Sequence, residues 1–272
     1  MTYYAIKAHF LNKEIIPYDV FIRMLMEPNL EKALKHLANT PYNELIKYPK
    51  SSEILMEAIE LIFLRRIHSF VEWTKIYPKG FLREYIKRYI FNPLVSYLRS
   101  KGSKVKFYLE EEYKDVFKKF FPNLNVEKLK LTSIKDVLSC IVDLELLNKK
   151  TLEHILEASK NNVIFPLIRI GIEKEYYEKI LKKLGIFADS YVKEFIRTEI
   201  DFSNLNNALI LNKLNANIKL SENLVKELFI RGGLLVNYEL YKNIIKGESI
   251  NIILQTAPLK YKSIIEKMLT HE

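Results

Sequence analysis

Only one cysteine, Cys140, occurs in the chain, so no internal disulfide forms. It lies in the helical apolar stripe Asp136-Val137-Leu138-Ser139-Cys140-Ile141-Val142, where a small buried side chain explains it better than a reactive thiol does. Glycine is scarce, seven in 272 residues. Neither a Gly-x-x-x-x-Gly-Lys-Ser/Thr loop nor a Gly-x-Gly-x-x-Gly turn occurs, and the usual phosphate cradles are thereby excluded. No apolar run approaches the roughly 18 residues of a membrane span. The histidines His9, His36, His68, His154 and His271 include no pair at i and i+4, and no cysteine pair has metal-ligand spacing, so a metal centre is not expected. Arginine is also short, nine against 34 lysines, within a formal charge of +10. Arginine is the better bidentate reader of phosphates and bases, so the excess lysine points to solvated helix faces or Lys–Glu pairing more than to nucleic acid. The segment Met1-Thr2-Tyr3-Tyr4-Ala5-Ile6-Lys7-Ala8-His9 lacks the apolar block and small-residue cleavage site of a signal peptide, and a cytoplasmic location is expected.

Helical periodicity fills the chain almost from end to end. Leu, Ile, Glu and Lys dominate its long segments. The stripe Ile54, Leu55, Ala58, Ile59, Ile62, Phe63, Ile67, Phe70 and Val71 predicts a helix over 53–72, with Ser51 as its N-cap. Pro78-Lys79-Gly80 reads as a break, followed by a helix over 81–89. A second helix then starts at Asn92-Pro93 and runs to Arg99, closed by Lys101-Gly102-Ser103. Ser133-Ile134-Lys135-Asp136 reads as a capped start with a shorter acid than a full capping box. Thr151 is expected to cap the next helix, and Gly185 to stop the one carrying Tyr176, Tyr177, Ile180, Leu181 and Leu184. Lys104 to Leu109 alternates for six residues, and Val163 to Phe165 is β-branched or aromatic. With no convincing partner strand, the first is read as extended chain or a helix start, and the second stays ambiguous.

Internal repeats point to the architecture. A shift of 112 residues lays Tyr89-Ile90-Phe91-Asn92 on Asp201-Phe202-Ser203-Asn204 and Lys101 on Lys213. A shift of 219 lays Phe21 on Leu240, Leu25 on Ile244, Leu34 on Ile253 and Tyr42 on Tyr261. These matches predict two and a half copies of one helical unit, over 1–102, 103–216 and 217–272.

Several constellations resemble chemistry only superficially. Glu110-Glu111-Glu112 points three ways on a helix and reads as a helix N-terminus or solvated face, not as an acid–base pair. Phe81, Tyr85 and Tyr89 share a face at i, i+4 and i+8 among basic residues. A stacking platform for single strands is one reading of them, and core packing is the favoured one. Gly232-Gly233 reads as a turn needing positive φ. Asp201 and Asn204 lie in an apolar pattern, where capping a helix start is favoured over facing a partner.

Three motifs together carry a family resemblance. They are Pro28 to Tyr42, ending in Thr40-Pro41-Tyr42; Asp201-Phe202-Ser203-Asn204-Leu205; and Ile230-Arg231-Gly232-Gly233-Leu234. Together they resemble the C-type stalk component of archaeal and vacuolar-type ATP synthases, the homologue of the d-type component in eukaryotes. The chain departs from that pattern at Tyr89 in an acidic position, at Pro93 after Asn92, and in a second hairpin lacking Thr-Pro-Tyr. It also ends just after the third hairpin, so a shortened third unit is expected. The resemblance implies an all-α fold of repeated helical units in a funnel-like pseudo-threefold arrangement. It implies a non-catalytic central-stalk rotor part without cofactor, small-molecule ligand or nucleic acid. Its partners would be the D and F proteins of the central shaft and the membrane proteolipid ring, so that torque links ion translocation to ATP. Thr40, Pro41, Tyr42, Asn92, Asp201, Asn204, Arg231, Gly232 and Gly233 become the candidate structural or interface positions. A helical-repeat nucleic-acid-binding module is the alternative from the charge alone.

Overall fold

A computed structural model describes residues 16–48, 51–73, 79–102, 106–122, 124, 133–158, 164–187, 190–218, 220–248 and 250–270. Among these residues the protein is all-α, with 13 helices and no strand. The helices are α1 (Tyr18–Leu25), α2 (Leu30–Lys35), α3 (Ser52–Trp73), α4 (Lys79–Gly102), α5 (Glu110–Phe120), α6 (Ile134–Asp143) and α7 (Lys149–Ala158). They continue as α8 (Ile164–Phe187), α9 (Ser190–Ile218), α10 (Glu222–Leu228), α11 (Tyr238–Lys246), α12 (Ile250–Thr256) and α13 (Lys262–Thr270). Short 3-10 turns occupy Asn43–Lys47 and Leu259–Tyr261. A pair of short helices followed by two long ones occurs twice, as α1–α4 and α6–α9, and a third short pair follows as α11–α12.

The chain forms two compact units, Met1–Trp73 with Lys106–Val126, and Thr74–Val105 with Glu127–Glu272. In the first, α5 packs on α3 through buried Tyr113, Val116, Phe117 and Phe120. Glu57 on α3 accepts the Tyr108 and Leu109 N–H groups, both at 2.9 Å, and so satisfies donors at the start of α5. The Glu110-Glu111-Glu112 run fills the first turn of α5, where the helix dipole favours negative charge. In the second unit, Tyr176, Tyr177, Ile180 and Leu184 of α8, Ile196 and Ile200 of α9, and Ile230 form one cluster, with Phe81, Tyr85 and Phe91 of α4 packed against it. The rings Phe81, Tyr85 and Tyr89 follow one another along α4, the first pair stacked with centroids 5.9 Å apart and the second edge to face at 6.3 Å. The aromatic face is therefore engaged within the protein.

Two predicted caps are present. Ser51 accepts the Ile54 N–H, and Ser133 and Asp136 form a reciprocal capping box. Four boundaries differ from expectation. Helix α4 is continuous through Asn92 and Pro93. Proline removes one N–H and clashes with the preceding turn, at a cost of about 3 kcal/mol. Burial of Ile90, Leu94, Tyr97 and Leu98 on both sides of it outweighs that cost, at roughly 1.5–3 kcal/mol for each large apolar side chain. Helix α8 likewise runs past Gly185 and begins at Ile164, so Ile164 and Phe165 are helical, with Pro166 tolerated in the first turn. The cap of α7 is Asn148, whose Oδ1 accepts the Thr151 N–H at 2.7 Å. Thr151 is instead buried and donates to Glu227 at 3.0 Å. Finally, α9 runs unbroken from Ser190 to Ile218, so Asp201 and Asn204 lie inside a helix and do not cap one. Pro78, residues 103–105 and Val163 lie outside the described residues.

Candidate functional site

Arg197, Asp201 and Asn204 fall at i, i+4 and i+7 on one face of α9. That face looks onto the non-helical segment 229–237 between α10 and α11. Such a segment has no ladder of its own, and its buried backbone groups need partners. The three side chains supply them. Asn204 bonds both polar groups of Ile230: its Oδ1 accepts the N–H at 3.0 Å, and its Nδ2 donates to the carbonyl at 2.8 Å. Asp201 accepts three successive backbone N–H groups, Leu234 and Leu235 on Oδ2 at 3.2 and 3.0 Å, and Val236 on Oδ1 at 3.0 Å. The Tyr261 hydroxyl donates to the same carboxylate at 3.3 Å. Arg197 donates to the carbonyls of Gly232 and Gly233 at 3.1 and 3.2 Å.

Asp201 and Asn204 are fully buried, each 0% exposed. A buried carboxylate persists where hydrogen bonds replace its water, and here N–H and O–H groups do so. Burial, and then the adjacent carboxylate, raise the Tyr261 hydroxyl above the ordinary phenol range, which keeps it a donor. The glycines are explained by this geometry. Gly232 has φ +99°, and a Cβ there would lie 2.6 Å from Leu181 Cδ1. At Gly233 a Cβ would collide with the Asp201 carboxylate. Arg231, between Ile230 and this pair, is exposed.

A second polar layer ties α4, α8 and α9 together. Glu199 pairs with Arg88 and accepts the Tyr85 hydroxyl at 3.0 Å. Ser203 donates to Glu173 at 2.8 Å, and Asn207 donates to the other Glu173 oxygen at 3.0 Å. Burial pushes the Tyr177 hydroxyl up to about 12 and raises Tyr176 as well. Nothing in this layer resembles an acid–base pair with a substrate cleft; each of these groups has a partner on a neighbouring helix. Among the described residues, no group of three or more His, Cys, Asp or Glu is placed to hold a metal ion.

The decisive comparison concerns nearly the whole chain. A family model described as the ATP synthase (C/AC39) subunit matches residues 6–272. The chain belongs to the ATP synthase (C/AC39) subunit family. A comparison with curated proteins finds no match. For a C/AC39-family protein it is pertinent that no helix among the described residues is long and apolar enough to cross a membrane.

The remaining sequence candidates in this C/AC39-family chain are spread out. Thr40 accepts the Tyr42 N–H at 3.2 Å and donates to the Leu37 carbonyl at 2.8 Å, making a local turn. Arg66 of α3 donates to the Pro41 carbonyl and lies 4.4 Å above the Tyr42 ring centroid. The Thr-Pro-Tyr motif is thus a folded corner of the first unit, whereas the Asp201 site belongs to the second. Asn92 does not repeat the bonds of Asn204: it is exposed on α4 and lines an open depression. Cys140 is buried, and burial pushes its thiol up to about 11. Sequence reasoning missed Arg197, Glu199 and the bond from Tyr261. Arg197 carried a usable signal, four residues before Asp201 on the same helical face.

Proposed function

We propose that this chain is a non-catalytic central-stalk part of a rotary A/V-type ATP synthase or ATPase. In that reading it sits on the cytoplasmic face of the membrane as a socket between the proteolipid ring and the D and F proteins of the shaft. It transmits torque, so that ion transport and ATP synthesis or hydrolysis stay linked. The observation that carries the reading is the family match over residues 6–272. Three helical units, 1–102, 103–216 and 217–272, are proposed as its building plan, and the recurring order of two short and two long helices supports that plan. The buried clamp of Asp201 and Asn204 supports it too. A part that carries torque needs its inter-helix segments held rigid, and side chains of a 29-residue helix hold this one.

Co-purification tests the proposal. A tagged copy extracted from membranes in mild detergent should bring the shaft and ring proteins of the ATPase with it. Repeated preparations that contain an intact ATPase but leave the tagged chain behind would end the reading. The lysine excess adds a second expectation. Binding to an acidic shaft or ring surface should weaken steeply as salt rises, since opposite charges supply much of the approach.

A further inference from the structure

An open depression of about 420 Å³ lies within the second unit, where α4, α8 and α9 meet. Helix α4 contributes Asn92, Val95, Ser96 and Arg99, at i, i+3, i+4 and i+7 on one face. Phe165, Pro166 and Arg169 of α8 and Ile210 of α9 complete it. The Arg99 guanidinium lies 4.8 Å above the Phe165 ring centroid, a cation–π contact that limits its freedom. Arg169 is exposed and makes no ion pair or hydrogen bond among the described residues. Two guanidinium groups, a hydroxyl and an amide thus surround a floor of Val95, Pro166 and Ile210. In a protein whose cations are otherwise mostly lysine, two of its nine arginines meet at this depression.

We propose that this depression receives an acidic segment of a neighbouring protein of the same complex, a carboxylate meeting Arg99 and Arg169 while an adjacent apolar side chain covers the floor. Charge complementarity is the argument for the occupant. Guanidinium groups match carboxylates in a planar fork, and the chain carries a formal charge of +10. A small free oxyanion fits less well, because the cations are exposed at the rim and the floor is apolar. A polar rim around an apolar centre is the layout of a protein contact. The repeat sharpens the point. Ala208 and Leu211 of α9, the counterparts of Ser96 and Arg99 under the 112-residue shift, are buried within the fold, whereas Ser96 and Arg99 are exposed. The inference rests on the chain being a docking component of the ATPase.

A photoreactive benzophenone side chain introduced at Ser96 of the full chain tests it, with the complex purified from membranes before irradiation. The expected adduct is a peptide of another ATPase protein, with Asp or Glu within a few residues of the linked site. Arg169→Glu should cut the adduct yield by about tenfold, and replacing the partner's acid with lysine should restore it. Arg169 is exposed and unbonded among the described residues, so that variant should keep the wild-type melting temperature. A complex that co-purifies intact but yields only lipid adducts, acid-free peptides or no adduct overturns this inference and leaves the stalk reading standing. So does a yield indifferent to Arg169→Glu. A tagged chain that brings down no other ATPase protein overturns both.

Discussion

Helices α4 and α9 are both long, both carry an asparagine in an apolar pattern, and both pack on α8. Their polar residues have opposite fates. On α9, Asp201 and Asn204 are sealed from water and hold the backbone of 230–236. On α4 the counterpart positions are Tyr89 and Asn92; Asn92 is exposed, and the helix turns its hydrophobic residues inward around Pro93. The difference teaches that a polar residue in a helical stripe has no fixed meaning. What decides its role is whether an unpaired stretch of backbone lies opposite. On α9 one does, and the asparagine becomes structural. On α4 the apolar residues take the inward positions and leave the asparagine to solvent or to a partner.

The sharpest way to break this comparison is Asp201→Ala. The substitution leaves the N–H groups of Leu234, Leu235 and Val236 without their acceptor. Water can reach the first two in part, but Val236 is buried. At roughly 1–3 kcal/mol for each unsatisfied group, the expected loss is about 4 kcal/mol, read from urea denaturation midpoints. Asp201→Asn keeps the shape but turns a donor towards N–H groups, and should lose about half as much. A loss under about 0.5 kcal/mol for Asp201→Ala would mean that the carboxylate does not hold this segment.

Gly233→Ala comes next. Its Cβ would meet the Asp201 carboxylate, an atom group pinned by the bonds it accepts and therefore unable to swing aside cheaply. A loss of about 2–3 kcal/mol is expected. The informative experiment is the double variant with Asp201→Ala. Removing the carboxylate also removes the collision, so the two losses should sum to clearly more than the double variant shows, by about 1 kcal/mol or more. Strict additivity would mean that the glycine is required for some reason other than the clamp. Gly232→Ala should also cost stability, about 1–2 kcal/mol, but through its positive φ, and should be additive with Asp201→Ala.

Much of the helical framework was legible in the sequence because it depends on neighbours three and four residues apart. The Ser51 cap, the box of Ser133 and Asp136, and the acidic opening of α5 are local devices of that kind, and each is present. The need for positive φ at Gly232 was also local. Pro93 and Gly185 misled for the converse reason. Their local preference opposes a helix, yet both lie inside one, and around Pro93 tertiary burial on either side overrules that preference. The role of Asp201 was hidden by range. Its partners are 33 to 35 residues away on the chain, and Tyr261 is 60 away. From sequence alone, a carboxylate that caps its own helix and one that holds a distant loop look the same. The 219-residue shift did place Tyr261 on Tyr42, yet one hydroxyl donates to a buried carboxylate while the other ring lies under Arg66. Positions that align under a sequence shift thus need not share side-chain contacts.

The smallest expected effect, at Asn92, tests the comparison most directly when it is set beside the larger one at Asn204. Asn204→Ala removes an acceptor and a donor from the two backbone groups of buried Ile230, and should cost about 2–3 kcal/mol. Asn92→Ala, at the position the repeat aligns with it, removes an exposed side chain and should shift stability by no more than about 0.5 kcal/mol. Alanine is also the better helix former, so a slight gain is the expected sign. Thermal unfolding of the two variants side by side reads the difference. Equal losses would mean that both asparagines serve one structural role and that the two helices are equivalent after all. A stable Asn92→Ala chain that nonetheless leaves the ATPase complex more readily would place that asparagine, and the depression it lines, on the side of partner recognition.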